Sequence, residues 1–209
     1  MCCACPGWVR GVTQLDRVLY VVCAGPSTEA HLHSKPHGEL VHKVYPVKIL
    51  TYDVNTLRPL SELSELGENI HVEGMRDPRD IVACPRDRQL YVAEWDSIWR
   101  VSADNHSKYV KWLITDTFHI NSLSLRSRRL LVTSRESSSF RQYNTTDGEL
   151  LRVVECPEYV KDVWYAVETT RSTFVVGHRG TSENEQQNAV SEMFSVCHIM
   201  HRTYAPRKT

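Results

Sequence analysis

The sequence predicts an all-β fold in which short antiparallel sheets repeat along the chain. Two observations carry this prediction: segment 77–113 divides into four short strands with turns between them, and the pattern of a polar turn before an apolar strand recurs in the rest of the 209 residues. Four strands in an antiparallel meander form one blade of a β-propeller. We therefore predict an incomplete β-propeller, about four blades of four strands in an open arc.

The clearest of these units is segment 77–113. Its apolar runs are rich in β-branched and aromatic residues, the types that favour strands, and they are separated by polar turns. The predicted strands of this unit are 81–84, 90–93, 98–101 and 109–113.

The recurring motif can be aligned on one apolar position. Leu19, Leu90, Leu130 and Phe174 each follow a polar turn, and they are separated by steps of 71, 40 and 44 residues. The last two steps match the roughly 40 to 50 residues of a propeller blade. The first step is too long by about one loop, and we assign the excess to an inserted loop over 24–44, where glycines and prolines interrupt the strand pattern.

The other elements follow from the same pattern, and the runs at 18–23 and 174–176 are apolar enough to predict strands covered on both faces. An outer strand or short helix is predicted over 57–66, and a second short helical candidate over 186–194. We predict further strands at 48–53, 122–125, 140–143, 150–154, 164–167, 174–177 and 190–199. The organisation is a Cys-rich tail over 1–7, a propeller segment over 8–199 and a disordered basic tail over 200–209.

The amino-acid composition and the charge of the chain limit the classes of function that we expect. Lys plus Arg and Asp plus Glu both number 25, so the charge favours neither nucleic acid nor an anionic membrane as partner. No apolar run approaches the roughly 18 residues that a membrane helix needs, and the first residues lack the pattern of a signal peptide. The sequence has seven cysteines, which is an odd number; three are crowded within the first five residues, and the other four are scattered along the chain. We expect reduced thiols and a cytoplasmic setting.

Segment 77–113 also resembles a known repeat. Pro78, Ile81, the run 90–94 (Leu-Tyr-Val-Ala-Glu) and the run 98–101 (Ile-Trp-Arg-Val) are similar to the repeats of NHL-type and SMP-30/gluconolactonase-like six-bladed β-propellers. The resemblance extends over 8–199 and is strongest here. Since such families close with six blades, it implies a truncated copy, an incomplete gene product, or a chain that needs a partner to complete the ring.

The resemblance to NHL-type repeats implies a non-enzymatic module that binds a protein partner through its blade loops. Trp95 is the first candidate contact, because it lies in a turn beside Trp99, and exposed tryptophan is a preferred interface anchor. Packing against a neighbouring blade is the equal alternative. Arg126, Arg128 and Arg129 form a basic turn; without an aromatic platform, a solvated turn is favoured over an RNA contact. The partner-binding candidates are Trp95, Arg128 and Arg129.

The alternative function implied by the resemblance is a metal-dependent hydrolase of the SMP-30 type, with a small-molecule substrate. Glu73, Asn121 and Asp162 have side chains of the type that binds a divalent metal, but none lies in a recognisable ligand motif, so we assign no catalytic, cofactor or metal residue and expect no cofactor. Neither a hydrolase elbow nor a nucleotide-binding glycine motif occurs. An inactive fragment is the third alternative. We expect neither of two further groups to bind a metal: a solvated loop is favoured for His31, His33, His37 and His42, and a zinc or redox role is not expected for Cys2 and Cys5.

Overall fold

A computed structural model describes residues 8–24, 47–60, 69–115, 119–134, 137–158, 160–170, 173–180 and 194–200. These residues form fifteen β-strands in four antiparallel sheets, without an α-helix among them. In this part of the chain, no helix is long and apolar enough to cross a membrane.

Each sheet is a meander in which strands adjacent in sequence are adjacent in space. The first sheet contains β1 (Trp8–Leu15), β2 (Val18–Ala24), β3 (Lys48–Asp53) and β4 (Ile70–His71). The second contains β5 (Asp80–Cys84), β6 (Gln89–Ala93), β7 (Ser97–Ser102) and β8 (Tyr109–Ile114). The third contains β9 (Ile120–Arg126), β10 (Arg129–Ser134), β11 (Ser139–Asn144) and β12 (Leu150–Glu155). The fourth contains β13 (Val160–Thr170), β14 (Thr173–Gly180) and β15 (Phe194–Met200).

The predicted repeat is confirmed in the first three sheets by one recurring hydrogen bond. In each, the main-chain N–H after the third strand donates to the carbonyl of an arginine in the first turn, at 2.9 to 3.0 Å. That arginine lies two residues before Leu19, Leu90 or Leu130, the positions on which the sequence was aligned. The three bonds are Val54 to Arg17, Ala103 to Arg88 and Thr145 to Arg128.

The chain divides into two compact units. Unit 1 is Met1–Glu94 with Ile98–Lys111, and unit 2 is Trp95–Ser97 with Trp112–Thr209. In unit 1 the first two sheets share a hydrophobic core, and β1 packs closely on β5: a Cβ at Gly11 would lie 2.7 Å from Asp80 Oδ1 and 2.8 Å from the Ile81 nitrogen. This core contains Leu15, Tyr20, Val22, Val47, Ile49, Ile70, Val72, Met75, Ile81, Ala83, Leu90, Val92, Trp99 and Val101.

The hydrophobic core of unit 2 lies between the third and fourth sheets. Phe140 and Phe174 meet at its centre in an edge-to-face pair with ring centroids 5.0 Å apart. The buried positions of the predicted apolar runs 18–23 and 174–176 include Val22, Phe174 and Val176, each with no exposed surface. The core residues of this unit are Leu131, Phe140, Val154, Val160, Val163, Ala166, Phe174 and Val176.

Three predicted elements differ from the structure. In the first sheet the outer strand is Ile70–His71, and residues 57–60, the described part of the predicted element 57–66, form neither a strand nor an α-helix. Asp53 Oδ1 accepts the N–H groups of Asn55 and Thr56, and Leu57 takes a φ of 53°, which neither a helix nor a strand accommodates. β14 continues to Gly180, three residues beyond the end of the predicted strand 174–177. The fourth described sheet has three strands, not four.

Other predictions involve residues outside the described ranges. The tail 1–7, the loop 24–44 beyond Ala24, most of the helical candidates 57–66 and 186–194, and the tail after Met200 lie there. At the edges of these segments, Ala24 ends β2 and Phe194 begins β15.

The cysteines do not share one state. Cys23 is disulfide-bonded, so the prediction of reduced thiols is wrong for this residue. The error has a physical reason: a disulfide requires two Cα atoms within roughly 7 Å, and sequence spacing does not report that distance. Cys84 and Cys156 do not form disulfides. Burial raises the pKa of the Cys84 thiol.

Candidate interaction surface

The loop that carries Trp95 joins β6 to β7, and its main chain is held in place. In unit 2, the Trp95 carbonyl accepts the N–H of Ile120 at 2.8 Å, and the Asp96 carbonyl accepts the N–H of Thr115 at 2.7 Å and its hydroxyl at 3.0 Å. These bonds attach the loop to both ends of the segment that leads into β9. The backbone under the indole ring is therefore fixed before any partner binds.

The Trp95 ring itself remains open to solvent. The residue is 43% exposed, and its ring stacks on His119 with centroids 4.4 Å apart and planes inclined by 36°. Tryptophan combines a large apolar face with an N–H donor, which is why it is frequent at interfaces. Trp95 is therefore partly exposed and partly covered, with His119 as one of its contacts.

The side chains of the two predicted arginines, Arg128 and Arg129, have different surroundings. The Arg128 side chain is exposed, while its carbonyl forms the recurring turn bond to Thr145. The Arg129 guanidinium instead turns toward β13 and binds Glu168 with two hydrogen bonds, Nε to Oε2 and Nη2 to Oε1, both 3.1 Å. Of this pair, Arg128 is the one whose side chain lies on the surface.

Trp95 and the two arginines lie at opposite ends of β9. Ile120, at the start of that strand, bonds to Trp95, while Arg126 ends it and Arg128 follows in the turn. A strand advances about 3.3 Å per residue, so the two ends are about 20 Å apart. The structure therefore does not bring the three predicted partner-binding residues into one compact site.

A buried polar cluster around Glu168 was not found from the sequence. Glu168 is 4% exposed, and besides Arg129 its carboxylate accepts a bond from Gln142 Nε2 at 3.0 Å and lies 3.6 Å from Arg152 Nη2. Arg152 Nε in turn donates to Gln142 Oε1 at 2.8 Å. The available signal was Glu168 directly after the apolar run 163–167 within β13, because a charge buried at such a position must be paired.

The surroundings of Arg152 disfavour its charged form. Burial lowers the pKa of the Arg152 guanidinium, the Glu168 carboxylate opposes that effect, and the nearby Arg129 charge adds to it. The Arg152 guanidinium also lies 5.1 Å from the centre of the Phe174 ring. The cluster thus joins the polar edge of the third sheet to the hydrophobic core of unit 2.

The acidic residue that ends the 90–94 motif has a structural role. Glu94 is 6% exposed; Oε1 accepts the main-chain N–H of Arg76 at 2.7 Å, and Oε2 accepts the indole N–H of Trp99 at 2.9 Å and lies 3.5 Å from Lys111 Nζ. A carboxylate in this position links strand β7 and β8 to the segment before β5 in unit 1.

Of the three residues considered for a metal, one belongs to unit 1 and two belong to unit 2. Glu73 is exposed in a loop of unit 1. In unit 2, Asn121 donates from Nδ2 to the Trp164 carbonyl at 2.6 Å, and Asp162 lies on β13 with a φ of 49°. Among the described residues, no group of three His, Cys, Asp or Glu side chains has the arrangement to hold a metal ion. The four loop histidines, Cys2 and Cys5 lie outside these residues.

Comparisons with known proteins report on the fold. No family model and no curated protein matches the chain. Among solved structures it is similar to hydrazine synthase from Kuenenia stuttgartiensis, with a TM-score of 0.58 and 13% identity over 94% of this chain and 47% of that one. The fold is an incomplete β-propeller.

Two computationally designed proteins are also similar to this chain in fold. The computationally designed Ika4 protein matches with a TM-score of 0.55 and 10% identity over 92% of both chains. The computationally designed Ika8 protein matches with a TM-score of 0.51 and 10% identity, over 81% of this chain and 42% of that one. The chain thus spans less than half the length of Ika8 and of hydrazine synthase.

Proposed function

We propose that this incomplete β-propeller is a non-enzymatic interaction module that binds a protein partner through the loop carrying Trp95. The observation that supports the proposal is that Trp95, a residue 43% exposed, lies on a backbone held by hydrogen bonds to Ile120 and Thr115. Ordering an anchor before binding reduces the entropy lost on association. An exposed tryptophan that is already positioned has the properties of an interface hot spot.

His119 adds a second element to the proposed contact. Its imidazole stacks beneath the Trp95 ring, with centroids 4.4 Å apart, and limits the orientations that the indole adopts. An apolar or cationic side chain of the partner would pack on the outer face of the ring. Arg128 lies about 20 Å away at the other end of β9, so it would contribute only to a partner that extends over that length.

We further infer kinship with NHL-type and SMP-30-like propellers from the run 90–94, Pro78, Ile81 and the run 98–101. Support comes from Glu94, the last residue of the first run, whose carboxylate binds Trp99 of the second run and the main chain of Arg76. The motif residues thus act together in holding one blade against the segment that precedes it.

The test compares Trp95→Ala with Trp8→Ala, the matched control, since Trp8 is 70% exposed in unit 1. Proteins captured by wild-type chain are quantified against each variant, and the Kd of an isolated partner is then measured by calorimetry. We expect Trp95→Ala to weaken that Kd by about thirtyfold, equivalent to about 2 kcal/mol, and Trp8→Ala to leave it unchanged. Retention of every partner at wild-type affinity by Trp95→Ala would refute the proposal.

A further inference from the structure

Two arginines face each other across the β9–β10 hairpin of unit 2. Arg126 and Arg129 are direct partners in the strand register, and both guanidiniums reach β13. Arg129 binds the Glu168 carboxylate, whereas Arg126 Nη1 donates to the main-chain carbonyls of Glu168, at 3.0 Å, and Thr169. Like charges directly opposite on a ladder are destabilising, so this arrangement requires negative charge nearby.

The described part of the chain supplies that charge incompletely. Within it, Glu168 provides the one carboxylate bound to this arginine pair, and the same carboxylate lies 3.6 Å from Arg152 Nη2. Two guanidiniums, those of Arg129 and Arg152, therefore approach the Glu168 carboxylate. Arg126 satisfies its bonds with carbonyl oxygens, which are partial charges and do not neutralise a cation.

The arginine pair is also reachable from solvent. Arg126 is exposed, and the Arg129 side chain retains 29% of its surface, while Glu168 below them is buried. Guanidinium groups present planar sets of N–H donors that match the oxygens of phosphate. A doubly charged phosphate above the pair would add the negative charge that Glu168 alone does not supply.

We propose that Arg126 and Arg129 form a binding site for a phosphate-type oxyanion, either the free ion or the phosphoryl group of a small molecule. Arg152, whose Nη2 lies 3.6 Å from Glu168 Oε1, adds positive potential to the same site. This site is independent of the Trp95 contact proposed above, because it lies at the other end of β9.

The first test titrates inorganic phosphate into the full chain by calorimetry, with sodium chloride at equal ionic strength as the reference. Thermal unfolding is followed in parallel, because a ligand that binds only the folded state raises its stability. We expect saturable binding that Arg126→Gln weakens about tenfold, equivalent to about 1.4 kcal/mol. Arg126 is suited to this substitution because its side chain is exposed and binds only main-chain oxygens within the described residues.

The matched control is Arg141→Gln. Arg141 precedes Gln142 on β11, and the Gln142 side chain binds Glu168. Successive strand residues point to opposite faces of a sheet. The substitution therefore removes the same charge from the same sheet, but on the face opposite to the proposed site. We expect it to leave phosphate affinity unchanged. Absence of saturable binding to the wild-type chain, or equal weakening by both variants, would overturn the proposed site.

Glu168→Gln should change phosphate affinity in the direction opposite to Arg126→Gln. Without its carboxylate the cluster is more positive, so phosphate should bind more tightly than to wild type even though the folded state is less stable, and added phosphate should restore more of the melting temperature. A phosphate response no larger than wild type contradicts the proposal. If this variant does not fold, the Arg126→Gln comparison decides.

The source of the oxyanion is distinguished by titrating glycerol 3-phosphate in the same experiment. Tighter binding than inorganic phosphate assigns the site to a phosphorylated small molecule, and equal or weaker binding assigns it to the free ion. Failure of both ligands to bind would overturn the site, and it would leave the Trp95 proposal to its own test.

Discussion

Trp99 donates its indole N–H to Glu94 Oε2 across 2.9 Å, in the buried part of unit 1. The same carboxylate accepts the main-chain N–H of Arg76 at 2.7 Å and lies 3.5 Å from the Lys111 ammonium group. The Lys111 ammonium also sits over the Trp99 ring, 5.3 Å from its centre. One buried acid therefore connects β7, β8 and the segment before β5, and the stability of this unit should depend on it.

Glu94→Ala should lower the free energy of unfolding by about 3 kcal/mol, because it leaves the Trp99 N–H without its acceptor in the core. Urea unfolding measures the loss. Glu73→Ala is the control in the same unit: Glu73 is exposed, so its removal should change stability by less than about 0.5 kcal/mol. Similar losses in the two variants would show that the Glu94 bonds contribute little.

Arg129→Met should destabilise the folded chain by about 3 kcal/mol, because the buried Glu168 carboxylate loses the guanidinium that binds it with two hydrogen bonds. The double variant Arg129→Met with Glu168→Met should be more stable than Arg129→Met alone, since it removes the charge left behind. Chemical denaturation of the single and double variants measures both quantities. Arg128→Met, at an exposed neighbour, is the control. A double variant that only adds a second loss would argue against a buried ion pair.

Gly11→Ala should cost about 2 kcal/mol, because the new methyl group would meet Asp80 Oδ1 at 2.7 Å and the Ile81 nitrogen at 2.8 Å. The Ile81 contact is main chain and cannot rotate away. Gly177→Ala is the matched control, since the nearest atoms to its Cβ lie at 3.8 Å; alanine in a strand should be neutral or stabilising there by about 0.5 kcal/mol. Thermal unfolding distinguishes the two, and equal effects would contradict the close approach of β1 to β5.

Asp53→Asn should change how stability depends on pH. Hydrogen bonds from Thr56, through its main chain and then its hydroxyl, lower the pKa of the Asp53 carboxyl. A carboxyl whose pKa is lower in the folded state stabilises it above the unfolded pKa, about 3.9, and loses this contribution as pH falls through the folded value. Near neutral pH the variant should therefore be less stable than wild type, and the difference should vanish in strong acid.

Asparagine is a suitable replacement because Asn144 occupies the equivalent position of the third sheet. There its Oδ1 accepts the N–H of Thr146 at 3.0 Å, as Asp53 Oδ1 accepts that of Asn55 at 3.1 Å. Urea midpoints over a pH series measure the difference between wild type and variant. A difference that stays constant down to strong acid would show that the Asp53 charge does not contribute.

Much of the strand pattern is predictable because it depends on neighbours in sequence. The strand 48–53 is confirmed at both ends, and the four strands of segment 77–113 are confirmed within one residue. The alignment of Leu19, Leu90 and Leu130 corresponds to the recurring turn bonds. By contrast, β1 was not predicted as a strand; half of its residues are exposed, including Trp8, Val9 and Val12, so it lacks the buried alternation that marks a strand.

The candidate site was predictable only in part. The loop position of Trp95 followed from its place between two apolar runs, but its exposure depends on His119 and on hydrogen bonds to the segment before β9. The different surroundings of Arg128 and Arg129 could not be predicted from the sequence, because two adjacent residues of a basic turn have the same sequence neighbours. Only the packing of β13 on the third sheet turns Arg129 toward Glu168, 39 residues away.

The sequence by itself determined the local repeat: apolar runs, polar turns and their spacing require only interactions between near neighbours, and these predicted the meandering sheets. The tertiary structure alone decided which charges are buried together, that Cys23 forms a disulfide, and that Trp95 and Arg128 lie at opposite ends of β9. The reason is physical. Turn and strand preferences are set by residues a few positions apart, whereas ion pairs, disulfides and shared surfaces depend on which sheet faces meet.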